Sequence, residues 1–213
     1  MRRLPVYLLL DISGSMRGEP ISAVNMGVKN LVDTLKKDPY ALETVFLSII
    51  TFNNQVEQVV ALTELYKFVA PELTASLGTY IGKAIKFLSA KAEAEVVKTT
   101  QEVKGDWKPL VFIMSDGKSG DKIEKAIQQF NKNLFGNILI CATGPTPNTD
   151  ALRLISENVV QIKELNRESI NAFFQWVSAS ISTTSTKIEE TNSDFILMDE
   201  LPPLPSKINL VKL

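Results

Sequence analysis

Along the chain, apolar runs of strand length alternate with segments in which apolar residues recur every three or four positions. Residues 4–10, LPVYLLL, are almost wholly apolar, which predicts a central parallel strand covered on both faces. Ile21, Val24, Val28, Leu31, Val32 and Leu35 then step at helical spacing and predict a helix over 20–37. Pro20 suits its first turn, where a missing N–H costs nothing. TVFLSIITF (44–52) and QVEQVVAL (55–62) predict two strands joined across Asn53-Asn54; adjacent asparagines tolerate positive φ, so a tight antiparallel hairpin is expected. A helix over 80–103, with Ile81, Ala84, Ile85 and Leu88 on one face, ends at the turn Gly105 to Pro109 and feeds a buried strand at 110–115. The alternation continues with a helix at 121–134 (Ile123, Ile127, Phe130, Leu134), a strand at 136–143 and a Gly-Pro-Thr-Pro loop. A short helix at 149–157, a strand at 159–163 and a helix at 167–183 (Ile170, Phe173, Phe174, Val177, Ile181) complete it.

Such alternation is the mark of an α/β domain, a mostly parallel sheet with helices on both faces. The expected domain is 1–184, followed by a tail at 185–213 whose composition differs: Thr, Ser and Glu, then FILM, LPPLP and INLVKL. Burying one large apolar side chain is worth about 1.5–3 kcal/mol. The tail is therefore expected to run extended over the surface with Phe195, Ile196, Leu197 and Ile208 docked in apolar grooves, stiffened by Pro202, Pro203 and Pro205. The Ser and Thr residues at 182–186 also suggest a kinase substrate.

Composition removes several function classes. The 213 residues are 45% hydrophobic and 22% charged, an ordinary balance for a globular chain. Lys+Arg number 23 against 24 Asp+Glu, so no basic excess points to nucleic acid. Histidine is absent, which excludes a Ser-His-Asp triad, a Cys-His pair and a His-ligated zinc built from this chain. The single cysteine, Cys141, lies in the apolar run NILICATG and reads as a buried core residue. MRRLPVYLLLD has the charged start of a signal peptide, but its apolar run breaks at Asp11, and no later stretch reaches about 18 apolar residues. The expectation is a cytoplasmic protein without membrane contact. No GxxxxGK[ST] phosphate loop occurs. Trp107 and Trp176 read as packing anchors, Met16 and Met26 as gap-fillers, and Lys91, Glu93, Glu95 and Lys98 as a solvated helix face.

Three loops concentrate oxygen donors: Asp11-Ile12-Ser13-Gly14-Ser15, Ser76-Leu77-Gly78-Thr79 and Ser115-Asp116-Gly117. In an open α/β sheet such loops gather at the carboxyl ends of the strands, where ligands bind. Mg²⁺ takes about six oxygen ligands in octahedral array. A D-x-S-x-S loop can turn its first, third and fifth side chains to a common point. Two carboxylates and three hydroxyls would hold the ion while leaving it electrophilic toward one more anionic ligand. Each loop also has a plainer reading. Asp11, Ser13 and Ser15 can cap a helix, Thr79 can cap the helix after it, and Ser115-Asp116-Gly117 can simply end a strand.

The segments LLLDISGSM, GTYIGKAI and FIMSDG resemble the metal-ion-dependent adhesion site of von Willebrand factor A domains, over roughly residues 4–183. MRRLPVYLLLD, DPYALETVFLSIITF, KGDWKPLVF and FFQWVSASIS are more similar still to the bacterial tellurium-resistance, TerY-like subgroup. The resemblance implies a doubly wound sheet of six strands with one antiparallel edge strand, and places Asp11 and Asp116 on adjacent central strands. It implies Mg²⁺ or Mn²⁺ bound by Asp11, Ser13, Ser15, Thr79 and Asp116. Thr79 and Asp116 would exchange direct and water-mediated contact. It also implies a protein partner offering an Asp or Glu, a place in chemical-stress responses, and association with protein kinases or PP2C-type phosphatases. Leu77-Gly78 and Lys118 depart from the family's usual pattern. The rival class is a Mg²⁺-dependent aspartyl-phosphate phosphatase or phosphotransferase using Asp11, with Lys118 orienting phosphate. Such enzymes usually carry an acid two residues after the nucleophile. Ser13 stands there, so the expectation is a binding module and not an enzyme.

Overall fold

The computed structural model describes residues 2–194 and 196–211. Seven strands form one sheet: β1 (Leu4–Asp11), β2 (Val45–Phe52), β3 (Val56–Glu64), β4 (Leu110–Ser115), β5 (Asn137–Thr143), β6 (Val159–Ile162) and β7 (Asn209–Leu210). Their order is β3-β2-β1-β4-β5-β6-β7. β2, β1, β4, β5 and β6 run parallel, and β3 closes one edge antiparallel, as expected. The order reverses between β1 and β4, which makes the gap between their carboxyl ends the switch point of a doubly wound sheet.

The period-2 alternation divides the strands between two cores. Leu4, Val6, Leu8 and Leu10 of β1 face the layer of α1 (Glu19–Leu35), α2 (Pro39–Thr44) and α6 (Arg167–Thr191). Tyr7 and Leu9 face α3 (Ile81–Glu95), α4 (Ile123–Ile127) and α5 (Thr149–Ile155). Cys141 and both tryptophans are buried, as expected; Met16 is buried too, but Met26 is exposed.

Several elements differ from the sequence expectation. The helix expected over 80–103 stops at Glu95. β-Branched Val96, Val97, Thr99 and Thr100 follow, and the loop is tied instead by Val97 N–H to Asp106 Oδ2 (2.8 Å) and Gly105 N–H to Thr99 Oγ1 (3.0 Å). Glu95 is not a simply solvated residue: Tyr7 Oη donates to its Oε2 (3.0 Å) and Gln58 Nε2 to its Oε1 (2.9 Å). The helix expected over 121–134 shrinks to α4 and a separate turn at Lys132–Leu134. The Asn53-Asn54 hairpin forms without positive φ at either asparagine; Asn53 Oδ1 accepts from Gln55 N–H (2.7 Å), a side chain standing in for a backbone turn. Helix α2 was not foreseen, although Asp38 caps it at Tyr40 N–H (3.0 Å) and Ala41 N–H (3.2 Å).

The largest difference is at the C-terminal end. The helix expected to end at 183 continues to Thr191, so the boundary between 184 and 185 falls inside α6. Its hydroxyls fold back onto the helix, Thr184 Oγ1 to Ser180 O (2.8 Å) and Ser185 Oγ to Ser182 O (2.8 Å). Thr184, Ser185 and Ile188 are buried, so tertiary packing overrides weak propensity and takes two of the five hydroxyls at 182–186 out of a kinase's reach. Asn192, in the left-handed region at φ 50°, ends the helix. The tail then packs on its own domain. Ile196 and Ile208 are buried as expected, Leu201 joins them, but Leu197 is 56% exposed. Phe195 lies outside the described residues. Trp176 Nε1 donates to Pro202 O (2.9 Å), Asn137 Nδ2 to Ile196 O (3.1 Å), and β7 adds a seventh strand antiparallel to β6.

Candidate metal centre

Asp11 is the last residue of β1, and Ser115 the last of β4. Parallel pairing sets Leu10 beside Met114, so one residue further Asp11 meets Ser115, and Ser115 Oγ donates to Asp11 Oδ2 (2.7 Å). Asp11 Oδ1 accepts from Ser13 N–H (2.8 Å), which turns the chain sharply out of the strand. That turn brings the Ser13 and Ser15 hydroxyls 3.1 Å apart. Neither hydroxyl caps a helix: the turn at Gly14–Met16 has no side-chain cap, and α1 begins after Gly18.

Thr79 is held by its backbone. Its carbonyl accepts from Gly120 N–H (2.7 Å), which ties its loop to the one carrying Asp116. Ser76 N–H donates to Ile12 O (2.8 Å), which ties it to the first loop. Gly78 has φ 83° and passes so close to Asn54 that a Cβ would sit 2.8 Å from the Asn54 Cβ. The departure at Gly78 therefore has a steric reason, the passage of this loop over the β2–β3 hairpin, whereas nothing in the structure explains Leu77. The capping role proposed for Thr79 is filled from elsewhere. Asp121 Oδ1 and Oδ2 accept from Gly82 N–H (3.0 Å) and Lys83 N–H (2.8 Å), and Ser119 Oγ accepts from Ile81 N–H (3.0 Å). The Thr79 hydroxyl is hydrogen-bonded to no described residue.

Asp116 does end its strand as the plainer reading holds: Oδ1 accepts from Lys118 N–H (2.9 Å), and Gly117 follows at φ 75°. Its Oδ2 takes no hydrogen bond from a described residue. Asn148 N–H holds the Asp116 carbonyl (2.8 Å) from the start of α5. Thus the five expected residues lie on three loops that are hydrogen-bonded to one another at the switch point. Sequence reasoning missed Ser115 as the group orienting Asp11, and Ser119 and Asp121 as the clamp beside Thr79. The strand alternation carried the first of these, since Ser115 and Asp11 have the same parity as the apolar residues facing one core.

The donor chemistry fits a hard divalent cation. Asp11 is only 2% exposed, and burial pushes its carboxyl up to about 6; hydrogen bonds from Ser13 and Ser115 oppose the rise and the charge of Asp116 adds to it. Neither Asp11 nor Asp116 forms an ion pair with a described residue. Among the described residues no group of three or more His, Cys, Asp or Glu side chains is placed to hold a metal, so any ligand set here mixes two carboxylates with hydroxyls.

A doubly wound domain with oxygen-bearing loops gathered at its switch point is the class of protein these observations define. A model of the von Willebrand factor type A domain matches residues 6–174, and the chain belongs to that family. Among solved structures, the pilus adhesin SpaC of Lactobacillus rhamnosus GG superposes with a TM-score of 0.65 at 13% identity, covering 86% of this chain and 30% of its own. A von Willebrand factor type A protein from Catenulispora acidiphila gives 0.63 at 15% identity, covering 85% and 43%. Proximal thread matrix protein 1 from the mussel byssus, solved with zinc occupying its adhesion-site motif, gives 0.58 at 17% identity, covering 84% and 48%. The chain spans less than half the length of each, and at these identities the likeness concerns the fold. No curated protein matches the chain. Among the described residues no helix is long and apolar enough to cross a membrane.

Proposed function

We propose that this domain is a non-catalytic protein-interaction module that holds one Mg²⁺ or Mn²⁺ at a metal-ion-dependent adhesion site formed by Asp11, Ser13, Ser15, Thr79 and Asp116. The observation that carries the reading is the state of the donors. Three loops are cross-tied by hydrogen bonds, yet the Ser13, Ser15 and Thr79 hydroxyls serve no helix cap. The bound ion would supply an electrophile for a carboxylate of the partner protein. The zinc-occupied motif of the mussel protein supports a divalent ion on this fold. Oxygen-only ligands and the absence of histidine favour Mg²⁺ or Mn²⁺ over zinc here.

We further read the chain as a cytoplasmic component of a bacterial tellurium-resistance or chemical-stress system, working with a protein kinase or PP2C-type phosphatase. The segments MRRLPVYLLLD, DPYALETVFLSIITF and KGDWKPLVF support that placement by resemblance. Calorimetric titration with Mn²⁺ tests the site: one equivalent should bind, and a flat titration overturns the assignment. Affinity purification with and without chelator, on wild type and Asp11→Ala, should then yield a partner that depends on both metal and Asp11. The phosphatase alternative has no supporting acid at position 13. Turnover of a generic phosphate ester that vanishes in Asp11→Asn would replace the binding reading with it.

A further inference from the structure

Beside the loops of the metal centre lies a shallow cavity of about 230 Å³ between α3 and α4. Four lysines line it, Lys83, Lys86, Lys122 and Lys125, against a single acid, Asp121. All four lysines are exposed, and none is ion-paired with a described residue. Asp121 offsets at most one of the four charges; its carboxylate accepts from the Gly82 and Lys83 amides and from the Ser119 hydroxyl at 2.5 Å and forms no ion pair with the lysines. Glu124, the acid on α4, is not part of the lining. In a chain with 23 basic and 24 acidic residues, this is a local excess of one sign.

The patch is continuous with the site. The segment from Asp116 to Asp121 passes exposed Lys118 and ends on the first turn of α3, which begins just after Thr79. Lys83 lies over the ring of Tyr80, the residue after Thr79, 4.2 Å from its centroid. At about 1.5 Å per helical residue, Lys86 sits about 7.5 Å along α3 from Ile81, and Thr79 lies two residues before that, outside the helix, so the separation is on the order of 10 Å. An extended peptide covers that distance in three or four residues at about 3.3 Å each.

We infer that the lysines of α3 and α4 form the second half of the partner site and select a partner segment rich in Asp and Glu. One of its carboxylates would sit at the metal centre, and the others, within three or four residues, over Lys83, Lys86, Lys122 and Lys125. This rests on the metal-dependent reading above and adds the partner's chemistry to it. Carboxylates are the choice because the same segment would place one of them at the adjoining metal centre; lysines pair with phosphate as readily, and the oligonucleotide arm of the test separates the two. Exposed lysines of this kind act chiefly by steering and by excluding wrong partners, and their effect is screened by salt.

The test uses the full chain, a fluorescein-labelled Asp/Glu peptide and its Asn/Gln counterpart, with anisotropy read in Mn²⁺ and in EDTA. Replacing all four lysines (Lys83→Gln, Lys86→Gln, Lys122→Gln, Lys125→Gln) should weaken the acidic peptide by about tenfold at low salt, with the difference shrinking as salt rises. Mn²⁺ affinity, read separately by calorimetry, should not move. Equal affinity of wild type and the quadruple variant for the peptide overturns the inference. So does equal binding of the Asn/Gln peptide, or tighter lysine-dependent binding of a single-stranded oligonucleotide. If wild type binds no Mn²⁺ but holds the acidic peptide in a lysine-dependent way in EDTA, the metal reading falls and the lysine surface stands.

Discussion

Two buried aspartates at opposite poles of the sheet meet opposite fates. At the amino ends of the strands, Asp106 accepts from Arg3 Nε (2.7 Å), Arg3 Nη2 (2.5 Å) and Val97 N–H (2.8 Å). Arg2 lies beside it, 3.5 Å above the Trp107 ring and 3.6 Å from Asp194. At the carboxyl ends, the Asp11 carboxylate is likewise withdrawn from solvent but meets only an amide and a hydroxyl, and a second carboxylate, Asp116, faces the same region. Burying a charge is costly unless it is paired. The matched acid and base at one pole hold the chain's start against the loop at 96–107. The unmatched acids at the other pole leave a negative charge that the proposed cation would balance.

The contrast can be broken in graded steps. Removing the matched acid should cost most: Asp106→Ala strands Arg3 and the Val97 amide and should lower unfolding free energy in urea by about 3–5 kcal/mol while leaving Mn²⁺ affinity alone. The tail belongs to neither pole but to the core, so Ile208→Ala should cost about 2–4 kcal/mol, again without touching metal affinity. An unchanged melting temperature for Ile208→Ala would mean that the tail is not docked in solution. Asp11→Ala and Asp116→Ala should each weaken Mn²⁺ binding at least a hundredfold, about 2.7 kcal/mol, in a chain that still folds. Ser13→Ala should weaken it roughly tenfold, about 1.4 kcal/mol, because water can replace one hydroxyl. The smallest effect discriminates best between the poles. In EDTA, Asp11→Asn keeps the hydrogen-bonding shape but removes an unpaired buried charge, so stability should stay level or rise by about 1 kcal/mol. A loss as large as that of Asp106→Ala would make Asp11 a structural residue and end the comparison.

Legibility followed the range of the forces involved. The strands at 4–10, 110–115 and 136–143 were plain because a doubly buried strand must be apolar at every position. Helical spacing persists in sequence beyond both α3 and α4: α3 stops where Asp106 and the β-branched residues take the chain away, and α4 stops before Asn131 starts a separate turn by accepting from Asn133 N–H. The extension of α6 through serines and threonines was missed because its cause, burial of Thr184, Ser185 and Ile188, is tertiary. Within the candidate site, the five donor residues were visible by type and spacing. Ser115, Ser119 and Asp121 were not, because each acts across a gap of roughly forty to a hundred residues.

By itself the sequence determined the class of the fold, the two cores and the chemical type of the donors. Alternation and helical spacing encode which side each residue faces, and oxygen-bearing side chains at strand ends encode what they can bind. Only the tertiary structure decided which hydroxyls remain uncommitted. Thr79 is spared a capping role because Ser119 and Asp121 arrive from another loop to take it. It also decided that the tail docks on its own domain and that Lys83 and Lys86 of α3 share one surface with Lys122 and Lys125 at the start and on the face of α4. The physical reason is the same in each case. A hydrogen bond or a charge patch between distant segments leaves no local periodicity, and it exists only once the sheet has fixed the register that brings the segments together.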